Sequence, residues 1–202
     1  MKNKTLIILI IVFVVVIAGA YVLYGRLSAD VETEQLAVQQ TPEVTPAPSE
    51  NVDTESETEA EPEKVFAPDF TVYDADGNPL TLSSLRGTPV IVNFWASWCS
   101  PCKGEMPDFE KAYKKYGEDI QFLIVNMTDG DRETVESAKA YIDSVGYTFP
   151  VYYDTQLEAA YAYGVYSIPA TYFINAEGYC IAYANSMLDL ETLERGIGMI
   201  TE

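Results

Sequence analysis

Hydrophobic residues are spread along the chain in three different ways. From Leu6 to Leu23 they follow one another almost without a break. From Ser28 to Lys64 large apolar side chains nearly vanish, and from Val65 onward they return at strand and helix spacings. The eighteen residues of the first run would span roughly 27 Å as a helix, about the thickness of a hydrocarbon core. The second segment, rich in Glu, Thr, Pro and Ser, cannot bury enough apolar surface to offset its ordering entropy. It reads as a disordered tether with a flexible-coil span of roughly 30–35 Å. The last part, about 138 residues, is long enough for one core of its own. The pattern therefore divides the chain into an anchor (1–27), an acidic linker (28–64) and a folded domain (65–202).

Within the domain, strand and helix signals alternate. Phe70-Thr-Val-Tyr and Pro79-Leu-Thr-Leu, joined through Asp76-Gly77, form a hairpin pattern. Val90 to Trp95 and Gln121 to Asn126 are continuous β-prone runs, as in strands buried on both faces. Pro101 to Tyr116 carries Met106, Phe109, Tyr113 and Tyr116 at helical spacing, with Gly117 as a stop. A second helix is expected over Arg132–Val145, a strand over Phe149–Tyr153 and a short helix over Thr155–Tyr163. Thr171–Ile174 and Tyr179–Tyr183 flank Ala176-Glu-Gly178 as a hairpin, and Leu190–Ile200 closes the chain as a helix. No internal repeat is visible. This order predicts an α/β domain with a central mixed sheet flanked by helices.

Charge sharpens the picture. The net charge is −19. Lys2, Lys4 and Arg26 are the only charged side chains up to Leu27, and the linker sets eleven acids against Lys64 alone. Such a balance repels phosphate backbones, so nucleic acid is not an expected partner. Lys2 and Lys4 precede the apolar run, which places the amino terminus in the cytoplasm and the domain outside it. Ala18-Gly19-Ala20 has the small-x-small form of a signal-peptide cleavage site. The apolar run continues past it to Leu23, which favours an uncleaved single-pass anchor. Without a cysteine near the run, a lipoprotein anchor is excluded.

The chain has three cysteines and no histidine. A zinc site of the usual kind needs more ligands than that, so neither a metal nor another cofactor is expected. Trp98-Cys99-Ser100-Pro101-Cys102 directly follows a buried strand and opens a helix. At a helix N-terminus the free N–H groups and the dipole favour a thiolate. Pro101 suits the first turn, and Cys102, one turn in, is within reach of a short-loop disulfide. A purely structural bridge across two residues would close too small a loop to stabilise much. A redox-active dithiol is the expectation, with Cys99 exposed and ionised as the nucleophile and Cys102 protonated as the resolving thiol.

The run Val90-Ile-Val-Asn-Phe-Trp-Ala-Ser-Trp-Cys-Ser-Pro-Cys-Lys resembles the active-site segment of the thioredoxin superfamily. Ala67-Pro-Asp-Phe and the hairpin from Phe70 to Leu85 resemble the membrane-anchored TlpA/ResA branch, and Thr128–Tyr153 matches its central helix–strand insertion. The resemblance covers nearly all of residues 65–202. It implies a thioredoxin fold and an extracytoplasmic disulfide reductase of exported proteins, recharged by a membrane thiol carrier. Apocytochromes c, met during cytochrome c maturation, are the branch's best-known substrates. Ser167-Ile168-Pro169-Ala170-Thr171 is similar to the family segment with a cis proline beside the dithiol, where the Ile168 backbone would pair with substrate and the Pro169 loop would cover Cys102. In the family reading Trp95 and Trp98 shield the dithiol, with Trp95 expected in the core and Trp98 at the substrate surface. Thioredoxins carry a buried acid where this chain has Asn93, so that proton route is expected to be absent.

Glu105 lies three residues after Cys102 on the same helix, so the side chains are neighbours. It also matches a ResA-type glutamate. It is either a tuner and proton acceptor for Cys102 or a plain glutamate complementing the helix dipole. Cys180 reads as a small buried hydrophobe, with a reactive spare thiol as the other reading. Two further function classes remain. Peroxiredoxins share the fold, but their Pro-x-x-x-Thr-x-x-Cys pattern is missing, since Ala96 replaces the threonine. A non-catalytic binding module would not need an intact Cys-Ser-Pro-Cys.

Overall fold

The computed structural model describes residues 65–201. The apolar run Leu6–Leu23 and the acidic linker lie outside the described residues. Among those described, no helix is long and apolar enough to cross a membrane.

Twelve elements follow one another: β1 (Thr71–Tyr73), β2 (Pro79–Thr81), a 3-10 turn (Leu82–Leu85), β3 (Val90–Trp95), α1 (Ser100–Tyr116), β4 (Gln121–Asn126), α2 (Val135–Val145), β5 (Val151–Tyr153), α3 (Glu158–Ala162), β6 (Ala170–Ile174), β7 (Cys180–Ala184) and α4 (Leu190–Thr201). The strands form one seven-stranded sheet in the order β2-β1-β5-β4-β3-β6-β7. β3, β4 and β5 run parallel, and the hairpins β1–β2 and β6–β7 join the two sides antiparallel. This is the mixed sheet with an amino-terminal hairpin and a central helix–strand insertion that the sequence implies.

Every residue of β3 is buried, because the strand is covered on both faces. Side chains alternate across a strand. Ile91 and Trp95 therefore join Met106 and Phe109 of α1 and Leu193 and Ile197 of α4 in one core. Val90, Val92 and Phe94 join Phe70, Val72 and Tyr163 in the other. Asn93 shares the parity of Ile91 and Trp95, which aims it at the α1 side. β7, at the sheet edge, alternates buried and half-buried residues, as expected of a strand covered on one face only.

Three element starts differ from the sequence pattern by two residues or more. α2 starts at Val135 rather than Arg132, because Thr134 and Ser137 form a reciprocal capping box. The Asp129 carboxylate meanwhile holds the N–H groups of Asp131 and Glu133 in a turn. β5 begins at Val151, after Pro150, which has no N–H to offer a ladder. α3 begins at Glu158, after Leu157 in the left-handed region (φ 55°), and Asp154 accepts from the Ala160 N–H. Pro107 lies inside α1, where it removes the N–H that would reach the Lys103 carbonyl.

The contact between α4 and β6 leads to a stability prediction. A Cβ on Gly196 would run into the ring of Phe173, whereas one on Gly198 would meet open space. Gly196→Ala should cost about 1–3 kcal/mol by overpacking. Gly198→Ala should stabilise the helix by about 0.5–1 kcal/mol. Urea unfolding of the two variants checks both signs; equal effects would mean that α4 is not held this closely.

Candidate active site

β3 ends at Trp95, and a tight turn closed by the Cys99 N–H donating to the Ala96 carbonyl (3.1 Å) leads to α1. Cys99 is the N-cap of that helix. Its Sγ accepts the Cys102 N–H at 3.2 Å, the place a serine or aspartate oxygen takes in an ordinary cap. Cys99 and Cys102 form a disulfide with Cα atoms 5.3 Å apart. Exposure of Cys99 is smaller than expected: 4%, against 0% for Cys102. Its sulfur is tucked 3.7 Å from the Ile168 carbonyl oxygen. The loop expected over Cys102 is thus seen closing on Cys99. Register explains the approach, since Phe94 pairs with Ala170 and brings the segment before β6 beside the motif. The Ile168–Pro169 peptide bond is cis.

Glu105 is 1% exposed, which does not fit a plain dipole-complementing glutamate at the helix surface. Its Oε1 accepts from the Asn93 amide (2.8 Å) and its Oε2 from the Leu188 N–H (2.9 Å). Asn93 also donates to Thr171 Oγ1 at 3.0 Å. Loss of solvation raises the Glu105 carboxyl to about 7, with the two hydrogen bonds pulling it back only partly. Asn93 does lack an acidic proton, as expected. The buried acid is nonetheless present, delivered by the helix and held in place by the strand asparagine.

On the other side of the motif, the loop between β4 and α2 closes in. Glu133 is fully buried. Its Oε1 accepts the Ser97 N–H (2.8 Å) and the Asn126 amide (2.7 Å), and its Oε2 accepts the Ser97 hydroxyl (2.7 Å). The Arg132 guanidinium stacks 3.7 Å above the Trp98 ring, which is 41% exposed. Trp98, Met127, Leu157, Val165, Tyr166 and Ile168 line a cleft of about 290 Å³ beside the disulfide. Cys99, Cys102, Trp98, Ile168 and Pro169 thus converge beyond the carboxyl ends of β3 and β4, where open α/β sheets bind their ligands.

Arg132 and Glu133 escape the sequence pattern because it assigns them to a helix. The Thr134/Ser137 cap was the signal that leaves them in a loop at the site. Trp95 is fully buried, as the family reading has it. Cys180 is buried in β7, and burial pushes its thiol up to about 12, which suits inert packing.

Thioredoxin-like protein YneN of Bacillus subtilis is 36% identical over 112 residues, 55% of this chain and 65% of that protein. The thiol-disulfide oxidoreductase ResA of the same organism is 36% identical over 113 residues, 55% of this chain and 61% of that protein. The chain therefore spans somewhat less than two thirds of the length of these relatives. The crystal structure of a thiol:disulfide interchange protein of the thioredoxin family from Chlorobium tepidum superposes with a TM-score of 0.60 at 28% identity, covering 70% of this chain and 99% of that one. Residues 64–183 match the AhpC/TSA family. With a seven-stranded mixed sheet, a Cys-x-x-Cys disulfide capping its first long helix and more than half its length matched, the chain belongs to the AhpC/TSA family of thioredoxin-like proteins.

Proposed function

We propose that this chain is a membrane-tethered, extracytoplasmic thiol–disulfide oxidoreductase that reduces disulfides of exported proteins. The observation that carries the reading is Cys99 as N-cap of α1, its sulfur between the Cys102 N–H and the Ile168 carbonyl, with the ionisable carboxyl of Glu105 buried one turn beyond Cys102 on the same helix. In the reduced protein the Cys99 thiolate, stabilised by that N–H and the helix N-terminus, attacks one sulfur of a substrate disulfide. The other substrate sulfur leaves as a thiol after taking up a proton. Cys102 then gives its proton to Glu105 and attacks Cys99 Sγ, re-forming the intramolecular disulfide and expelling the second substrate sulfur as a thiolate that takes up a proton. Two electrons pass from the dithiol to the substrate. A membrane thiol carrier would restore them.

Tethering and location rest on the sequence, on Lys2 and Lys4 ahead of the Leu6–Leu23 run and on the acidic linker behind it. The Trp98 cleft and the Ile168 backbone suit an extended peptide beside its cysteine. The test uses the full chain in bacterial membranes, washed with salt and carbonate, and offered insulin with dithiothreitol or hydrogen peroxide with the same reductant. Retention in the washed membranes and faster insulin precipitation than with dithiothreitol alone are expected. Release of a soluble form starting near Tyr21 would replace the anchor by a cleaved signal, and peroxide consumption without insulin reduction would replace the reductase by a peroxidase.

A further inference from the structure

Two consecutive residues of the β4–α2 loop each hold one residue of the approach to Cys99. Arg132 lies on Trp98, and Glu133 grips Ser97 by both its N–H and its hydroxyl. Fully buried, Glu133 uses both oxygens as acceptors from three donors. The grip is itself braced. Asn126, the last residue of β4, donates to the carboxylate while its own carbonyl side takes the Thr128 hydroxyl at 2.8 Å. Asp129 fixes the Glu133 N–H, and the Gly130 N–H donates to the Glu133 carbonyl at 2.9 Å. Nothing in the dithiol chemistry needs a second buried acid at this distance along the chain. What it does need is a fixed Ala96–Cys99 turn, because Cys99 must face both the α1 N-terminus and the Ile168 carbonyl at once.

We propose that Glu133 is a positioning residue of the dithiol site, which through Ser97 fixes the Trp98–Cys99 turn against the Ile168–Pro169 loop. The inference rests on the oxidoreductase reading for its kinetic arm only. In Glu133→Ala the Ser97 N–H, the Ser97 hydroxyl and the Asn126 amide lose their shared acceptor. A loosened turn lowers the fraction of molecules in attacking geometry.

The experiment compares full-length wild type, Glu133→Ala and Ser97→Ala, all shown to be folded by circular dichroism after reduction. Three quantities are read: the pH profile of Cys99 alkylation in a Cys180→Ala background, acrylamide quenching of Trp98 in a Trp95→Phe background, and kcat/KM for insulin. Glu133→Ala should raise the alkylation midpoint by about half a pH unit as the cap loosens. It should make Trp98 more quenchable and lower kcat/KM roughly ten-fold. Ser97→Ala, which keeps the backbone bond, should move each readout the same way by roughly two- to five-fold less. A folded Glu133→Ala with wild-type alkylation, quenching and kcat/KM overturns the inference. If that variant does not fold, wild-type values in Ser97→Ala overturn it instead. Absence of insulin reduction by the wild type would sink the functional reading while leaving alkylation and quenching to report on the positioning role.

Discussion

Changing Cys102 to serine should turn the protein from a catalyst into a trap. Attack by Cys99 survives in this variant, because the Cys99 sulfur keeps the Cys102-position N–H and the helix N-terminus that favour its thiolate. Resolution is lost, so substrates should accumulate as mixed disulfides through Cys99 and turnover should fall by about three orders of magnitude or more. Cys99→Ser should lose turnover and trapping together, since the remaining thiols, Cys102 and Cys180, are 0% and 5% exposed. Both variants are incubated with oxidised insulin or exported proteins and run on non-reducing gels. Trapping by Cys99→Ser and none by Cys102→Ser would reverse the two roles.

Glu105→Gln should remove a pH dependence from both the chemistry and the fold. In the wild type the carboxyl titrates at about 7, so above that pH it is an available base on the same helix face as Cys102. Decay of the mixed disulfide should therefore accelerate as pH rises through 7. The glutamine variant should lose that inflection and resolve roughly a hundred-fold more slowly at pH 8, the scale of one lost general base. Stability moves in the opposite direction. The folded value lies above the unfolded one, near 4.3, so the native state binds the extra proton between them. Its contribution is complete below about 4.3 and is lost as pH rises through 7, by roughly 4 kcal/mol. Urea unfolding at pH 5 and pH 8 should show that slope in the wild type and flatten it in Glu105→Gln. Unchanged resolution kinetics together with an unchanged slope would return Glu105 to a passive core residue.

What the sequence made legible was local. The Val90–Trp95 run, the helix opened by Cys99 and the Ile168–Pro169 segment each announce themselves within a few residues, and their adjacency follows from strand pairing. Depth was not legible. Helical spacing places Glu105 on the face of Cys102, but only the packing of Leu188 and Asn93 around it shows that it is sealed from water. The same limit applies to Cys99, which position alone made an exposed thiol and which the Ile168 carbonyl covers. Glu133 was hidden for another reason. A helix start misplaced by three residues turned a site loop into a solvent-facing first turn, although the cap at Thr134 was there to be read.

The source of the buried acid bears on how this site tolerates motion. An acid rooted in the central strand would stay with the sheet while the dithiol helix shifted over it, so every displacement of the helix would change the reach of the proton acceptor. Here Glu105 and Cys102 sit one turn apart on α1, and the sheet contributes only the amide that Asn93 holds out to it. The base travels with the thiol it serves. A rigid shift of α1 when a bulky partner enters the Trp98 cleft would stretch the Asn93 and Leu188 hydrogen bonds but keep the spacing on which proton transfer depends.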